Sequence, residues 1–365
     1  MGKRDFSGAL GPYRDFSKIL LLTILLALSL MGSSCSSSPE TIKIGAVLPL
    51  TGDMSHVGQT NQKALQLALE QLPVGRYKYE AVFEDGKMDS AASLSAAAKL
   101  VEVDGVSALI TIGSNAGSVV SPYAESNKVI HIGMASNPLI ASGRYNFIHQ
   151  TLPPEETKLF ASELHSRGLK RVAILVLNQQ GTIAIADDLK RRLNGTEATV
   201  VFEDVHDKGT TDFKSILLKA EAAKPDIYLL ETFSPEVEIL KKQMDEMGIT
   251  VPVSGIQSIE FSKQPSLFEG VWYVSTADVN DNFRDEYYGR WGEQPGFVAG
   301  NSYDALKLIV NAFEKSSSKE GAVSELAGTR GFNGALGELN VLEDGIVSSK
   351  ATVRQVVNGT FVTVR

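Results

Sequence analysis

Three short stretches collect small polar residues: Thr51-Gly52-Asp53 with Gly58, Gly113-Ser114-Asn115-Ala116-Gly117-Ser118, and Ala135-Ser136-Asn137-Pro138. Hydroxyls and unpaired backbone N–H groups at helix starts favour an anion such as a carboxylate. Glycines let a ligand approach the main chain. Taken singly, such stretches read as turns and caps; converging, they could line one site. Other chemistry lacks a pattern. No phosphate-binding Gly-x-x-x-x-Gly-Lys-Ser/Thr loop occurs, and no Gly-x-Gly-x-x-Gly follows a strand. Gly331, Gly334 and Gly337 read as a turn. The serine elbow of hydrolases is absent, since Ser114 stands one residue early between Gly113 and Gly117. His56, His131, His149, His165 and His206 are scattered without a ligand pair, so no metal is expected and they read as surface or half-buried. Glu155-Glu156 and Asp187-Asp188 read as solvated helix faces. Neither an enzyme nor a cofactor is expected.

The chain has 365 residues, 43% apolar and 21% charged, which suits about two domains. Forty-three acids against 35 bases give net −8. That disfavours nucleic acid as a partner, because binding its backbone needs a Lys/Arg excess. One cysteine excludes an internal disulfide and a cysteine-rich zinc site. That residue, Cys35, follows Lys3, Arg4, Arg14, Lys18, the uncharged run 19–31 and Gly32-Ser33-Ser34. The run is short of the ~20 residues that span a bilayer, but it suits the core of a secretory leader. The stretch resembles a bacterial lipoprotein signal. Ser34 fits the small residue before the cysteine, whereas Gly32 stands where such signals usually carry Leu. The expectation is a leader over 1–34, a lipidated Cys35 and a tether over 35–40. Losing residues 1–34 removes four bases and two acids and leaves net −10. The body would lie outside the bacterial cytoplasm, anchored to a membrane through lipid.

The residues that could meet a ligand need elements to position them. Apolar β-rich runs at 42–50, 79–85, 107–112 and 129–134, and again at 171–177, 198–204 and 226–231, predict strands. Between them Ala64, Leu65, Ala68, Leu69 and Leu72 share a helical face, as do Ala91, Leu94, Ala98 and Val101. A helix is predicted over 118–127. Phe213, Ile216, Leu217, Ala220 and Ala223 mark another. Ser234-Pro235-Glu236 predicts a helix start with a serine cap and proline at the first helical position. This alternation predicts an α/β fold with parallel sheets covered by helices. Val-Phe-Glu-Asp occurs at 82–85 and at 201–204, each copy ending a predicted strand and followed by a polar loop, a helix and an apolar strand. Two lobes of one plan are expected, with a cleft between them.

PLTGDMSHVG from residue 49, GSNAGSVVSP from 113 and ASNP from 135, with TTDFKSILLKAEAAKPDIYLL and SYDALKLIVNAFE further on, resemble the solute-binding proteins of branched-chain-amino-acid-type ABC transporters. The resemblance covers the chain beyond the leader. It implies the type I periplasmic-binding fold, two Rossmann-like lobes joined by three crossings near 152–155, 275–279 and 331–335. The first lobe would combine 41–153 with 279–332 and the second 154–278 with 333–365. It also implies a small-molecule ligand, an ABC permease as partner, and a monomer. A sensor of the same fold and a small-molecule enzyme are the rival readings. Residue by residue, the carboxylate-binding hydroxyl falls on Ser136, and the carbonyl that accepts from a ligand ammonium falls on Met134. The serine of the preceding loop falls within Ser114 to Ala116, which places Ser114 and Asn115 at the ligand. The first-loop aromatic becomes Val57, the second-lobe tyrosine Gln180, and the aromatic before Pro-Glu falls near Phe233 and Ser234. The acid that meets the ammonium becomes Gln257. That change implies a neutral amide or urea-like ligand or a carboxylate lacking an amine, unless Glu231 or Glu260 replaces the acid; leucine-like amino acids would bind more weakly.

Overall fold

The computed structural model describes residues 1–4, 39–316 and 318–364. Beyond residues 1–4, the expected leader, with Cys35 and most of the tether, lies outside the described residues. Residues 1–40 and 41–365 are separate units, and everything below concerns the second. Among the described residues no helix is long and apolar enough to cross a membrane.

The first half alternates β1 (Thr41–Leu48), α1 (Ser55–Glu70), β2 (Lys78–Asp85), α2 (Ser90–Glu102), β3 (Ala108–Ile112), α3 (Ser114–Asn127), β4 (Ile130–Met134) and β5 (Asn146–Ile148). The strands form one parallel sheet in the order β2-β1-β3-β4-β5. Then come α4 (Pro153–Ser166), β6 (Arg171–Leu177), α5 (Gln180–Leu193), β7 (Thr199–His206), α6 (Lys214–Ala222), β8 (Ile227–Glu231), α7 (Glu236–Glu246) and β9 (Val253–Ser254). These strands form a second parallel sheet, β7-β6-β8-β9. Every residue of β3, β4 and β8 is buried. Helices on both faces require this, and it is why these strands read as unbroken apolar runs. Both sheets have a core on each side, Ile44 and Ile110 opposite Val47 and Leu109 in the first, Ile174 and Leu229 opposite Leu175 and Leu230 in the second.

The repeated tetrapeptide marks the same place in both sheets, the edge strand beside the first strand of each unit. Asp85 ends β2 opposite Leu48. The second copy does not end its strand: β7 runs two residues further, to His206, past a register irregularity between Val172 and Ala173. Two other local expectations change. Helix α3 begins at Ser114 rather than at 118, because the turn into it is made by Gly113 at φ +92°. Gly117 is a helix residue, and a Cβ there would sit 2.6 Å from Ile140 Cδ1. At α7 the N-cap position belongs to Pro235 and no side chain caps the helix. The Ser234 hydroxyl instead donates to Glu238 Oε1 at 3.0 Å.

The rest of the chain returns to both cores. Helices α8 (Asp281–Trp291), α9 (Ala299–Lys315) and α10 (Lys319–Ala327) follow β10 (Trp272–Thr276). Phe283, Tyr303, Leu306, Ile309 and Leu326 join the core of the first sheet. The Gly331–Gly337 region is a tight hairpin of β11 (Phe332–Gly334) and β12 (Gly337–Leu339). Ala335, Leu339, Val341 and Val347 also pack in the first core. The buried Asp304 carboxylate fixes this segment by accepting from Ala335 N at 2.6 Å and Leu336 N at 3.1 Å. The chain therefore does not leave the first half at 331–335 as expected. It joins the second only with β13 (Ala351–Val357), which pairs antiparallel with β10, and β14 (Thr360–Thr363). Hydroxyls of Thr151, Thr276 and Ser349 meet where the three connections run side by side, Thr151 lying 2.8 Å from each of the others.

Burial also corrects the histidine reading. His131 and His149 are fully buried and His206 nearly so, while His56 is half-buried and His165 exposed. His131 bonds Thr111 and Asn146 at 2.8 and 2.9 Å, and burial pushes its pKa down to about 4. Removing the Asp304 carboxylate would orphan two backbone donors, each worth about 1–3 kcal/mol when left unpaired. Asp304→Ala is expected to lower unfolding stability by about 2–5 kcal/mol in urea titrations.

Candidate functional site

The carboxyl ends of the two sheets face one cavity, the place where open parallel sheets bind ligands. It is small, with about 50 Å³ of room for the centres of water-sized atoms. That room admits a compact solute. Ile112 to Asn115 reach it from the end of β3, and Met134 to Ser136 from β4. Gln179 and Gly181 reach it from β6, Glu231 and Phe233 from β8, and Gln257 from the turn after β9.

One wall offers donors. Ser114 is the first residue of α3, so the helix's unpaired N–H groups open toward it. Ser114 Oγ accepts from Ser136 N at 3.1 Å, and Ser136 Oγ accepts from Gln150 Nε2 at 3.2 Å. Each hydroxyl therefore keeps its proton for another acceptor. Ser114 and Ser136, each expected at the ligand, are brought side by side. Asn115 lines the same wall. The Met134 carbonyl already accepts from Gly113 N at 2.8 Å, leaving one lone pair, and the residue lines the cavity. Gly181 closes on this wall from the other half. A Cβ there would stand 3.0 Å from Ser114 Oγ, so glycine allows the approach.

The opposite wall holds acids behind an amide. Gln257 accepts from Gln150 Nε2 at 2.8 Å and donates through Nε2 to Glu156 Oε1 at 2.6 Å. Each end of its amide makes one bond to the protein. Glu156 is wholly buried, not on a solvated face as expected. Neighbours on a helix point about 100° apart, so Glu155 faces solvent while Glu156 faces in; Asp188 is likewise buried beside exposed Asp187. Glu231 is 1% exposed, lines the cavity and accepts from Ile256 N at 2.7 Å. The second oxygen of each acid, Glu156 Oε2 and Glu231 Oε2, has no hydrogen-bond partner. Burial pushes Glu156 up to about 8, opposed by the Gln257 bond and aided by the nearby Glu260 charge. Burial likewise holds Glu231 well above the carboxylate range, opposed by the Ile256 N–H and the Ser258 hydroxyl and aided by Glu156. Glu260, the other candidate replacement, is paired with Arg354 at 2.8 Å and lines a different groove.

An apolar floor completes the cavity. Met54, Val57, Phe233, Phe261 and Phe297 line it. Phe261 stacks edge-on against Phe233 at 4.5 Å and Phe297 at 4.6 Å. Gln180 is the sequence-derived residue that misses. It opens α5, and its side chain turns away to accept from Ser118 Oγ at 2.6 Å; its neighbour Gln179 faces the cavity instead. Gln150, Phe261 and Phe297 carried no sequence signal, since each lies in a connection rather than in a periodic element.

The profile of the periplasmic binding protein family matches residues 41–360, and the chain belongs to that family. Its members are extracytoplasmic and bind small molecules for ABC permeases. A relative of similar length is the leucine-, isoleucine-, valine-, threonine- and alanine-binding protein of Pseudomonas aeruginosa, 23% identical, covering 89% of this chain and 92% of the relative. The leucine-binding protein LivK of Thermotoga maritima superimposes with a TM-score of 0.82 at 24% identity, over 89% of this chain and 98% of that one. A solute-binding protein of Rhodopseudomonas palustris in complex with 3,4-dihydroxybenzoic acid gives 0.79 at 20% identity, over 88% and 95%.

An unfolded glutamate titrates near its ordinary 4.5, whereas folded Glu156 titrates near 8. Between those values the native state holds a proton that the unfolded chain has lost. Stability therefore falls as pH rises through this window, by up to about 1.4 kcal/mol per unit. Glu156→Gln is expected to flatten that decline and to melt higher than the parent at pH 8 in thermal scans without added solute.

Proposed function

We propose that this protein is the solute receptor of an ABC importer, capturing a small carboxylate-bearing solute between its two sheets. The observation that carries the reading is the donor wall. The Ser114 and Ser136 hydroxyls, each with its proton uncommitted, converge at the N-terminus of α3, which suits a carboxylate. The apolar floor of Val57, Phe233 and Phe297 suits a hydrocarbon body beside it. The amino acids named for the Pseudomonas relative and the benzoic acid in the Rhodopseudomonas structure share that carboxylate.

Residues bridging the sheets suit a receptor that closes on its ligand. Lobes of 41–150 with 277–348, and of 152–275 with 350–364, would rotate about Thr151, Thr276 and Ser349. Binding then shifts the population toward the closed form, which a permease reads. We place the body outside the cytoplasm as a monomer, held by lipid on Cys35.

Thermal scans of the full-length protein in detergent should show a rise in Tm with short aliphatic or aromatic carboxylates or with amino acids, and none with the matching primary alcohols. Ser136→Ala should weaken binding about 10-fold or more, the scale of one hydrogen bond to a charged group. A panel with no shift would remove the reading. Cys35→Ser should release the protein from the membrane fraction and abolish incorporation of labelled fatty acid.

A further inference from the structure

Glu231 is the one acid that combines burial, a place on the cavity wall and an oxygen without a hydrogen bond. Glu156 stands beside it behind Gln257, equally buried and also with one open oxygen. The charged groups around the pair are already matched. Glu260 in the turn after β9 is held by Arg354 of β13. Asp188 on α5 is held by Arg191 and Arg192. Glu238 on α7 accepts from Ser234, Ser262 and the Lys263 N–H. Among the described residues, neither Glu156 nor Glu231 is in an ion pair. Two carboxyl groups in such surroundings stay protonated until a cation joins them. Burial does raise both, in keeping with that geometry.

We infer that capture is proton-linked: the cavity takes a solute carrying an ammonium group next to its carboxylate, and Glu231, backed by Glu156, releases one proton to solvent as that ammonium enters. This rests on the receptor reading above. The O–H bond of the acid breaks, the buffer base takes the proton, and the carboxylate accepts from the ligand N–H groups. The carboxyl pair titrates as a unit and bears one charge in the complex. Gln257 accepts from Gln150 and donates to Glu156, which fixes its amide between the two residues. Its part is positioning. Of the two readings that Gln257 left open, an amine-free ligand or an acid relocated to Glu231 or Glu260, this inference takes the second, at Glu231.

The test is calorimetry on the full-length protein at pH 6, in buffers of different ionisation enthalpy, with L-leucine, L-valine and L-alanine, and with 4-methylpentanoate as the acid lacking the amine. The expected result is about one proton released per bound amino acid and none for 4-methylpentanoate. The dissociation constant for the amino acid should rise about tenfold for each pH unit below 7, with little change for 4-methylpentanoate. Glu231→Gln should lose the amino acid and keep 4-methylpentanoate. The ligand pair on the parent protein gives the answer even if that variant fails to fold. Amino acid binding without proton release, or 4-methylpentanoate bound as tightly as leucine at pH 7, overturns the linkage and leaves the receptor reading standing. Binding of none of the four, nor of any carboxylate in the thermal panel, removes both.

Discussion

The geometry of the cleft depends on one buried amide. Gln257 joins Gln150, which follows the last strand of the first sheet, to Glu156 in the first turn of α4. Hydrogen bonds in such a dry setting are strong when complete and costly when broken. The chain from Ser136 through Gln150 and Gln257 to Glu156 therefore fixes the donor wall and the acid wall relative to each other. Few other links cross the cleft. Ser118 and Gln180 meet at its exposed rim, and Phe261 meets Phe297 across its floor. A closure held by a few polar bonds and one aromatic contact suits a receptor that must also release its cargo.

Much of the plan was legible because burial on both faces leaves little freedom in composition. The runs at 107–112 and 129–134 could only be central strands, and their carboxyl ends located the loops that carry Ser114 and Ser136. Short elements were not legible: β5 and β9 have three and two residues, too few for a period. The hairpin of β13 and β14 carries its own signal in the sequence: Asn358-Gly359, both at positive φ, is the dipeptide that the tightest hairpin turns favour.

The site was half legible for a related reason. Residue type at a strand end survives translation into three dimensions, whereas side-chain direction does not. Gln179 and Gln180 are indistinguishable in the sequence, and only the start angle of α5 decides which one faces the cavity. Glu155 and Glu156 pose the same problem on α4. Gln257 is visible in the sequence, but the buried Glu156 that it bonds and the Glu231 that shares its cavity are tied to it by no spacing rule.

The first core contains residues from Ile42 to Val347, and the second is completed by Val353 from the last fifteen residues. Neither half can finish packing while the chain is still being synthesised, since both await the C-terminal segment. Contacts this distant in sequence form slowly. For a member of an extracytoplasmic family such an order of packing would suit export, since a chain whose cores await their last residues stays open longer.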